Sequence, residues 1–446
     1  MENKITHGII WKQLLFFFFP IVLGSLFQQI YGLADTMIVG RFVGKTALAA
    51  VGGSSSRIVD LLVGFFVGLS SGAAVIVAQY YGANDRQKVT STIQCAITFC
   101  IVSGLLVTVL GMVLTKQMLT LLSTPADTMH DATIYLMIYF AGTVFNLLYN
   151  MAAALLRALG DSKRPLYVLI ITCILNVFLD LFFVVTLNLA VAGAALATIL
   201  CQAISAVLVL YMLYHCDEIC RFKLIRLHLS RKYLRRILRL GIPVAMESLT
   251  YSITNSFIQI YINILGTSTI AAWSVAGKID AFFWMFMNAF SIAITTFVAQ
   301  NYGAGFIDRV RKSVKVCLIM TYISSIIIAA VILTFIHPIF SLFTYDQEVI
   351  SYGIQVEYYL MPTYLIFIVI SIVSGAFRGV GKVLVGMLLS CGGVCLIRIV
   401  WLLLAFPEHP TLNTVMFSYP LSYVITAVLF IVYYFMRFPK NNKELA

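Results

Sequence analysis

The sequence has 446 residues, of which 61% are hydrophobic and only 11% are charged. Charged residues make up about a quarter of an ordinary soluble domain, so this composition excludes a water-soluble protein. At about 20 apolar residues for each bilayer crossing, the length accommodates about twelve transmembrane helices and leaves no room for a soluble catalytic domain.

Twelve long apolar runs, separated by polar segments, predict the transmembrane helices. In chain order they lie near 14–36, 46–80, 90–115, 132–156, 165–187, 190–214, 241–264, 268–301, 313–337, 353–377, 383–406 and 413–436. The strands of a membrane barrel would alternate over about ten residues, whereas these runs are continuous. The sequence therefore predicts an all-α polytopic membrane protein in contact with the lipid bilayer.

The formal net charge of +12 follows the loops and does not indicate a nucleic-acid partner. Most Lys and Arg residues lie on the side of the membrane that contains the N-terminus, above all in the segment 215–240 and the tail 437–446. Loops rich in Lys and Arg remain in the cytoplasm. We therefore expect a multi-pass protein of a bacterial cytoplasmic membrane, with both termini in the cytoplasm.

The two halves of the chain repeat each other. The segment 77–83 (VAQYYGA) recurs about 220 residues later as 298–304 (VAQNYGA), and Pro20 is matched by Pro243 at nearly the same spacing. Because each half would contain six helices, both enter the membrane from the same side, which predicts two six-helix bundles related by a pseudo-two-fold axis along the membrane normal. The predicted organisation is an N-terminal lobe 1–214, a basic cytoplasmic linker 215–240, a C-terminal lobe 241–436 and a cytoplasmic tail 437–446.

Acidic residues within the apolar runs are the strongest functional signal, because an Asp at the centre of a membrane helix costs about 2.5–3.5 kcal/mol. Two of them have a basic residue close in sequence, since Arg57 precedes Asp60 and Lys278 precedes Asp280. We expect these four side chains to form structural ion pairs. The other acids that we consider are Asp35, Asp180 and Glu247.

Asp35 and Asp180 lack such partners. Asp35 has no basic residue within a helical turn and shares a helix face with Gln28 and Tyr31. Asn176 and Asp180 are four residues apart, which places an amide oxygen and a carboxylate one turn apart. Two carboxyls with neutral oxygens nearby share a proton or surround a sodium ion, so this set predicts a cation switch.

The second half of the chain lacks this set. At the repeat-related positions, Asp35 maps near Phe257, Asn176 maps to Ile397 and Asp180 maps to Trp401. An acid retained for architecture is expected in both halves. The presence of Asp35 and Asp180 in only one half therefore favours a functional role for them.

Several strings together resemble the multidrug and toxic compound extrusion (MATE) family, most closely its DinF-like branch. They are Pro20, 31–40 (YGLADTMIVG), the repeated VAQ-x-YGA string, 157–161 (RALGD) and 176–180 (NVFLD). The resemblance covers residues from about 12 to 436. It implies a secondary antiporter, not an enzyme, that exports organic and often cationic compounds by alternating access in exchange for protons or sodium. We expect a monomer without a cofactor.

The resemblance also implies roles for individual residues. The cation site, for H⁺ or Na⁺, would comprise Asp35, Asn176, Asp180, Tyr135 and Thr198. Pro20 would be the hinge at which the first helix bends, since proline removes a backbone hydrogen bond.

Polar and aromatic side chains on the predicted helices are candidates for a substrate cavity, because ring faces attract cations and thioethers adapt in shape. The candidates are Gln28, Tyr31, Tyr139, Asn146, Asn150, Glu247, Tyr251, Asn255, Trp284 and Met287. Glu247 either attracts a cationic substrate or forms a structural hydrogen bond. Some MATE relatives pair this Glu with an acid on the helix near 353–377 in a C-lobe sodium site. Here we expect Tyr364 and Ser371, and no acid, on that helix.

The main alternative is a lipid-linked oligosaccharide or lipid flippase of the same wider superfamily. A flippase would need a more cationic cavity to receive diphosphate, whereas the acids found here favour cationic small molecules. An ATP-driven pump is excluded for this chain because it has no G-x-x-x-x-G-K-[ST] loop. The six histidines are scattered near helix ends, which argues against a membrane-embedded enzyme.

Overall fold

The structure is a computed structural model that describes residues 5–216 and 229–438. Most of the predicted tail and the middle of the predicted linker, 217–228, lie outside the described residues. In chain order the α-helices are α1 (Ile10–Phe42), α2 (Lys45–Ala50), α3 (Ser56–Gly82), α4 (Arg86–Leu121), α5 (Ala126–Ala158), α6 (Lys163–Asp180), α7 (Ala190–Tyr214), α8 (Arg231–Ile264), α9 (Thr267–Gly303), α10 (Ile307–Thr334), α11 (Ile336–Ser341), α12 (Gln347–Gly379), α13 (Val383–Ser390), α14 (Ile397–Ala405) and α15 (Leu412–Arg437). All twelve predicted helices are confirmed.

Three of the predicted helices contain a π-helical segment. These segments are Val51–Ser55 between α2 and α3, Leu181–Thr186 after α6, and Cys391–Leu396 between α13 and α14. A π-helical turn interrupts the regular hydrogen-bond ladder and is frequent at functional sites. The second segment begins directly after Asp180, so the regular α-helix ends at an acid of the predicted cation site.

Within the described ranges, eleven helical stretches are long and apolar enough to cross a membrane. The helix α8 is not among them, although it has 34 residues. It carries Glu247, Tyr251, Asn255 and Gln259 at four-residue steps, and this polar stripe lowers its hydropathy. Five Lys and Arg residues in its first turns, and the Ser and Thr residues between 248 and 256, lower the hydropathy of α8 further.

The helices group into two compact units. The N-terminal unit is Phe19–Ala245, and the C-terminal unit combines Met1–Phe18 with Met246–Ala446. This division differs from the predicted lobes, because the first turns of α1 group with the C-terminal helices and the first turns of α8 with the N-terminal ones. Both boundaries lie close to a proline within a helix, Pro20 in α1 and Pro243 in α8.

The first turns of α8 join the N-terminal unit through close backbone packing on α3. A Cβ atom on Gly68 would lie 2.5 Å from the backbone nitrogen of Ala245, so only glycine allows this approach. Arg236 of α8 also donates hydrogen bonds to the side-chain oxygens of Tyr80 at 2.5 Å and Gln79 at 3.2 Å. Small residues at such crossings are typical of membrane helices.

Residues 5–8 are held on the C-terminal unit by Arg309 of α10. Its guanidinium donates hydrogen bonds to the backbone oxygens of Ile5 at 3.1 Å and Gly8 at 2.9 Å. The ring of Phe18 stacks on Phe290 of α9 with 3.9 Å between centroids. The segment 5–18 is therefore anchored at one end by the guanidinium of Arg309 and at the other by the stacked ring of Phe18.

We expect Gly68→Ala to destabilise the folded protein, because the added methyl group would overlap the backbone of α8. Overpacking of this kind typically costs about 1–3 kcal/mol. Thermal unfolding of the purified protein in detergent should show a lower midpoint. Gly277→Ala is the matched control, since a Cβ atom on this helical glycine meets no atom within 4 Å. Equal midpoints for the two variants would contradict the packing of α3 on α8.

Candidate functional site

The N-terminal unit buries the polar cluster that the sequence predicted. Asp35 of α1 is 8% exposed, Asn176 and Asp180 of α6 are fully buried, and Thr198 of α7 is also buried. Within the described protein, no hydrogen bond of regular geometry reaches several of their polar atoms: Oδ1 of Asp35, both carboxyl oxygens of Asp180, the amide oxygen and nitrogen of Asn176, and the hydroxyl of Thr198. Only looser contacts join Asn176 to Asp180 and Thr198 to Tyr31. The cluster therefore consists of buried polar groups whose hydrogen-bonding capacity the fold does not fully use.

Tyr135 of α5 belongs to the same cluster. It is 7% exposed, and the charges of Asp35, Asp180 and Asp60 all act on its hydroxyl. The charge of Asp35 also acts on Asp180. Asp35, Asp180 and Tyr135 thus lie within range of one another's charge, Asn176 lies beside Asp180, and Thr198 lies beside Tyr31.

The two carboxyls of the cluster need compensation for their charge. Charged groups buried in an apolar interior are costly unless paired, and none of the ion pairs in the described ranges includes Asp35 or Asp180. Close carboxyls either share a proton or bind a cation, and hard cations take carboxylate, amide and hydroxyl oxygens as ligands. The arrangement is therefore chemically suited to binding a small cation reversibly.

The backbone beside the cluster departs from a regular helix. The π-helical segment Leu181–Thr186 follows Asp180, and α7 begins shortly afterwards. A Cβ atom on Gly193 of α7 would lie 3.0 Å from the backbone of Phe183. This close approach packs the start of α7 against the π-helical segment next to the buried acid.

The predicted ion pair of Arg57 with Asp60 does not form within the part of the chain that the structure describes. Both residues are exposed, and the charge of Asp60 acts on Tyr135 and Tyr139 of α5. Asp60 thus lies within range of two tyrosines of α5 and forms no ion pair with Arg57 in the described ranges.

The predicted pair of Lys278 with Asp280 is also absent from the described ranges. Two residues apart on a helix, their side chains do not face each other. Lys278 is exposed and lies 5.8 Å from the ring centroid of Phe343, whereas Asp280 is buried. A carboxyl oxygen of Asp280 accepts a hydrogen bond from the hydroxyl of Tyr364 at 2.6 Å.

Glu247 of α8 forms an ion pair that the sequence analysis missed. Its Oε2 accepts a hydrogen bond from Nη2 of Arg378 on α12 at 2.8 Å, and Glu247 is 6% exposed. Of the two roles left open by the sequence, the structure thus favours the structural hydrogen bond. A charge already paired in this way attracts a cationic substrate only weakly.

The remaining cavity candidates of the N-terminal unit occupy different environments. Tyr139 is buried, with its ring 6.3 Å from that of the neighbouring tyrosine of the cation site. Tyr31 is half-buried and Gln28 is exposed. The amide of Asn150 donates to the side-chain oxygen of Asn146 at 3.0 Å, so these two amides satisfy each other in part.

The cavity candidates of the C-terminal unit are likewise divided. Tyr251 and Trp284 are half-buried and Asn255 is exposed. The ring of Trp284 lies 5.1 Å from that of Tyr364. Met287 is 1% exposed and its sulfur accepts a hydrogen bond from a serine of α10, so the structure assigns it to the packed core instead of a cavity wall.

Two charged residues of the C-terminal unit were not recognised as functional candidates. Glu357 of α12 is fully buried, so the expectation of no acid on that helix was wrong. Its position within a predicted apolar run was the signal that could have found it. Arg398 of α14 is 3% exposed, with its guanidinium 3.8 Å from the ring centroid of Tyr419.

The chain also matches known proteins in two separate stretches. The MatE family model matches residues 20–182 and again residues 243–404, which together make up more than half of the chain. The chain belongs to the MatE, or MATE, family of transporters. The two matches correspond to the two sequence repeats, and the relatives in this MATE family are transporters rather than enzymes.

Similar proteins cover almost the whole chain. The Probable multidrug resistance protein YoeA of Bacillus subtilis is 28% identical over 453 residues, which cover 100% of this chain and 97% of that protein. The Probable multidrug resistance protein NorM of Thermotoga maritima is 26% identical, covering 85% and 82%. A solved outward-facing conformation of a multidrug resistance MATE family transporter superimposes with a TM-score of 0.90 at 21% identity and covers 98% of both chains. These matches confirm the all-α, two-lobe MATE fold.

We expect Glu247 and Arg378 of this MATE protein to be energetically coupled. Either Glu247→Gln or Arg378→Gln leaves one charge without its partner, whereas the double variant removes both charges. A double-mutant cycle of thermal stability should therefore give an interaction free energy of about 0.5–3 kcal/mol. Additive effects of the two substitutions would contradict a structural ion pair and would favour a cavity role for Glu247.

Proposed function

We propose that this MATE protein is a secondary active antiporter that exports organic compounds in exchange for a proton or a sodium ion. The coupling cation binds at Asp35 and Asp180, with Asn176, Tyr135 and Thr198 completing the site. The observation that carries this proposal is the burial of two carboxyls with unsatisfied oxygens and no ion pair in the described ranges. Bound cation is the compensation that such a cluster lacks within the protein itself.

The cargo of this exchange is a cationic or amphipathic organic molecule. The relatives are multidrug resistance proteins by name, which supports small and varied organic cargo. The charge of Asp60 acts on Tyr135 and Tyr139, so acidic and aromatic groups lie close together in the N-terminal unit. Ring faces and carboxylates both attract organic cations.

Coupling follows from competition for the same negative charge. When a proton or sodium ion binds, it neutralises one negative charge of the Asp35 and Asp180 pair and weakens the attraction for a cationic cargo. When the cation leaves, the attraction is restored, so cargo and cation favour different states of the protein. Pro20 lies about four turns before Asp35 on α1, and we propose that α1 bends there as the charge changes.

The membrane potential supplies enough energy for the export of a neutral amphipathic cargo. One elementary charge that moves down 100 mV provides about 2.3 kcal/mol, which sustains about a fiftyfold gradient of a neutral cargo. A single cation is therefore sufficient to drive export of a neutral cargo, whereas a monovalent cationic cargo exchanged one for one moves no net charge and depends on the concentration gradient of the coupling ion. The abundance of Lys and Arg in 215–240 supports an orientation with both termini in the cytoplasm. We also propose that a single chain is the transporting unit.

We expect Asp35→Asn and Asp180→Asn each to abolish cation-driven export while the protein still folds, because an amide keeps the shape but cannot exchange charge. Efflux of a cationic dye from liposomes that contain the purified variants measures the loss. Asp127→Asn is the matched control, since Asp127 is an exposed acid of the same unit in the first turn of α5. Export at the wild-type rate by either cluster variant would exclude this site as the coupling site.

The identity of the coupling ion has its own test. Dye efflux from liposomes is measured with an imposed sodium gradient at equal pH, and separately with a pH gradient in sodium-free buffer. Because the cluster has one set of oxygens for both ions, we expect the ion that drives export to do so only while Asp180 is intact. Export that responds to neither gradient would contradict antiport.

A flippase for lipid-linked oligosaccharides or lipids is the alternative function that one observation favours. Arg398 is a buried guanidinium of the kind that would receive a phosphate. It lies 3.8 Å and 5.1 Å from the ring centroids of Tyr419 and Tyr423, and these rings already cover it. Movement of a labelled anionic lipid across liposomes, lost in Arg398→Gln, would replace the antiporter proposal.

A further inference from the structure

The C-terminal unit buries a positive charge that has no ion-pair partner in the described ranges. Arg398 of α14 is 3% exposed, and none of the ion pairs found there includes it. A buried carboxyl can lose its charge by taking up a proton, whereas an arginine in a protein stays protonated. Isolated charges in an apolar interior are costly. A compensating negative charge is therefore expected beside this guanidinium.

Aromatic rings cover the guanidinium without neutralising it. Its central carbon lies 3.8 Å from the ring centroid of Tyr419 and 5.1 Å from that of Tyr423, both on α15. The face of an aromatic ring attracts a cation through its quadrupole but carries no net charge. These contacts hold the group in place and leave its charge uncompensated.

The hydrogen-bond donors of Arg398 are only partly used. Nη2 donates to the hydroxyl oxygen of Ser422 at 3.3 Å, and that hydroxyl donates in turn to the backbone oxygen of Tyr419 at 3.0 Å. A looser contact joins the guanidinium to the hydroxyl of Tyr423. In the described ranges no hydrogen bond of regular geometry reaches Nε, although this atom is buried. A guanidinium has five N–H groups, and a buried donor without an acceptor is costly.

The acids of the same unit have other contacts. Glu247 is paired with Arg378 at 2.8 Å, and Asp280 accepts a hydrogen bond from a tyrosine of α12 at 2.6 Å. Glu357 forms no ion pair in the part of the chain that the structure describes. Apart from burial itself, the largest electrostatic effects on Arg398 come from tyrosines, which are neutral at physiological pH. No residue at contact distance therefore supplies the negative charge.

The helical framework does not require a charge at this position. In the register that matches Asp180 with Trp401, Arg398 corresponds to Val177 of the N-terminal unit. The side chain of Val177 packs against the apolar core of that unit. An apolar residue thus occupies the same place in the repeat, which favours a binding role for the guanidinium.

We propose that Arg398 binds a small inorganic anion, and that this anion is chloride. The anion accepts hydrogen bonds from Nε and from another N–H of the same guanidinium, and it compensates the buried positive charge. The hydroxyls of the surrounding tyrosines are further donors for it. This inference goes beyond the proposed antiport, because it holds whichever cation drives export.

The packing around the guanidinium favours a monatomic anion over a larger one. The ring of Tyr423 lies 5.0 Å from that of Phe367, and the ring of Tyr419 lies 6.1 Å from that of Trp273. A phosphate group or an organic carboxylate would have to displace these packed rings. Chloride adds the least volume for the same charge.

Thermal stability in defined anions tests this site. The full-length protein is purified in detergent with gluconate, a bulky organic anion, and chloride then replaces gluconate at constant ionic strength. A ligand that binds only the folded state raises the unfolding midpoint as its concentration increases. We expect the wild-type midpoint to rise by a few degrees over this exchange.

Two variants separate binding at Arg398 from a general effect of the salt. Arg398→Met keeps an unbranched apolar side chain and removes the charge, so its midpoint should not respond to chloride. Lys278→Met is the matched control, since Lys278 is an exposed basic residue of the same unit, and this variant should respond as the wild type does.

Either of two results overturns the anion site. The first is a wild-type midpoint that is the same in gluconate and in chloride. The second is an equal rise in the wild type and in Arg398→Met, because chloride would then act elsewhere. Neither result bears on cation-driven export, which Asp35→Asn tests separately.

A direct measurement decides the matter if Arg398→Met does not fold. Bromide has the charge of chloride and a similar size, and it scatters X-rays anomalously. In crystals of the wild-type protein grown with bromide in place of chloride, we expect an anomalous peak beside Nε of Arg398. The absence of a peak at this position overturns the proposal.

Discussion

The cost of leaving a charge uncompensated in an apolar interior governs the arrangement of the acids in this protein. Each buried carboxyl must find a basic partner, a proton or a bound cation. Glu247 has the first solution in Arg378, which makes it part of the scaffold. Asp35 and Asp180 have no such partner in the described ranges, so their charge is available to a mobile ion. The same criterion separates Glu357 from the paired acid of its own unit.

The duplicated halves use a common helical framework for different polar groups. In the N-terminal unit the predicted cation site lies at the end of α6, where Asp180 precedes a π-helical segment. The repeat-related helix of the C-terminal unit also contains a π-helical segment, Cys391–Leu396, but in the register that matches Asp180 with Trp401 this segment precedes Trp401, whereas the N-terminal one follows Asp180. The π-helical segments of the two units therefore occupy different positions in the repeat.

The first turns of α1 and of α8 exchange units: those of α1 belong to the C-terminal unit and those of α8 to the N-terminal unit. Each belongs to the compact unit formed mainly by the other half of the chain, and each change of unit occurs close to a proline. Proline removes a backbone hydrogen bond, so the helix is easier to bend there than elsewhere. The exchange is anchored by specific contacts, Gly68 against the α8 backbone and Arg309 against the backbone of residues 5–8. Bending at Pro20 would thus occur between an anchored segment and the helix that carries Asp35.

The sequence by itself determined the membrane class, the twelve helices and the duplication, because hydropathy and helical spacing are local properties that the chain order records directly. The grouping of Asp35 with Asp180 was expected from the resemblance to the MATE family, since the two acids lie on different helices. Only the tertiary structure decided which charges are compensated. Sequence proximity suggested Arg57 for Asp60 and Lys278 for Asp280, but the contacts of Glu247 and Asp280 come from α12, more than 80 residues further along the chain. Side-chain direction and the packing of distant helices set these partners, and neither is recorded in the spacing of residues along one helix.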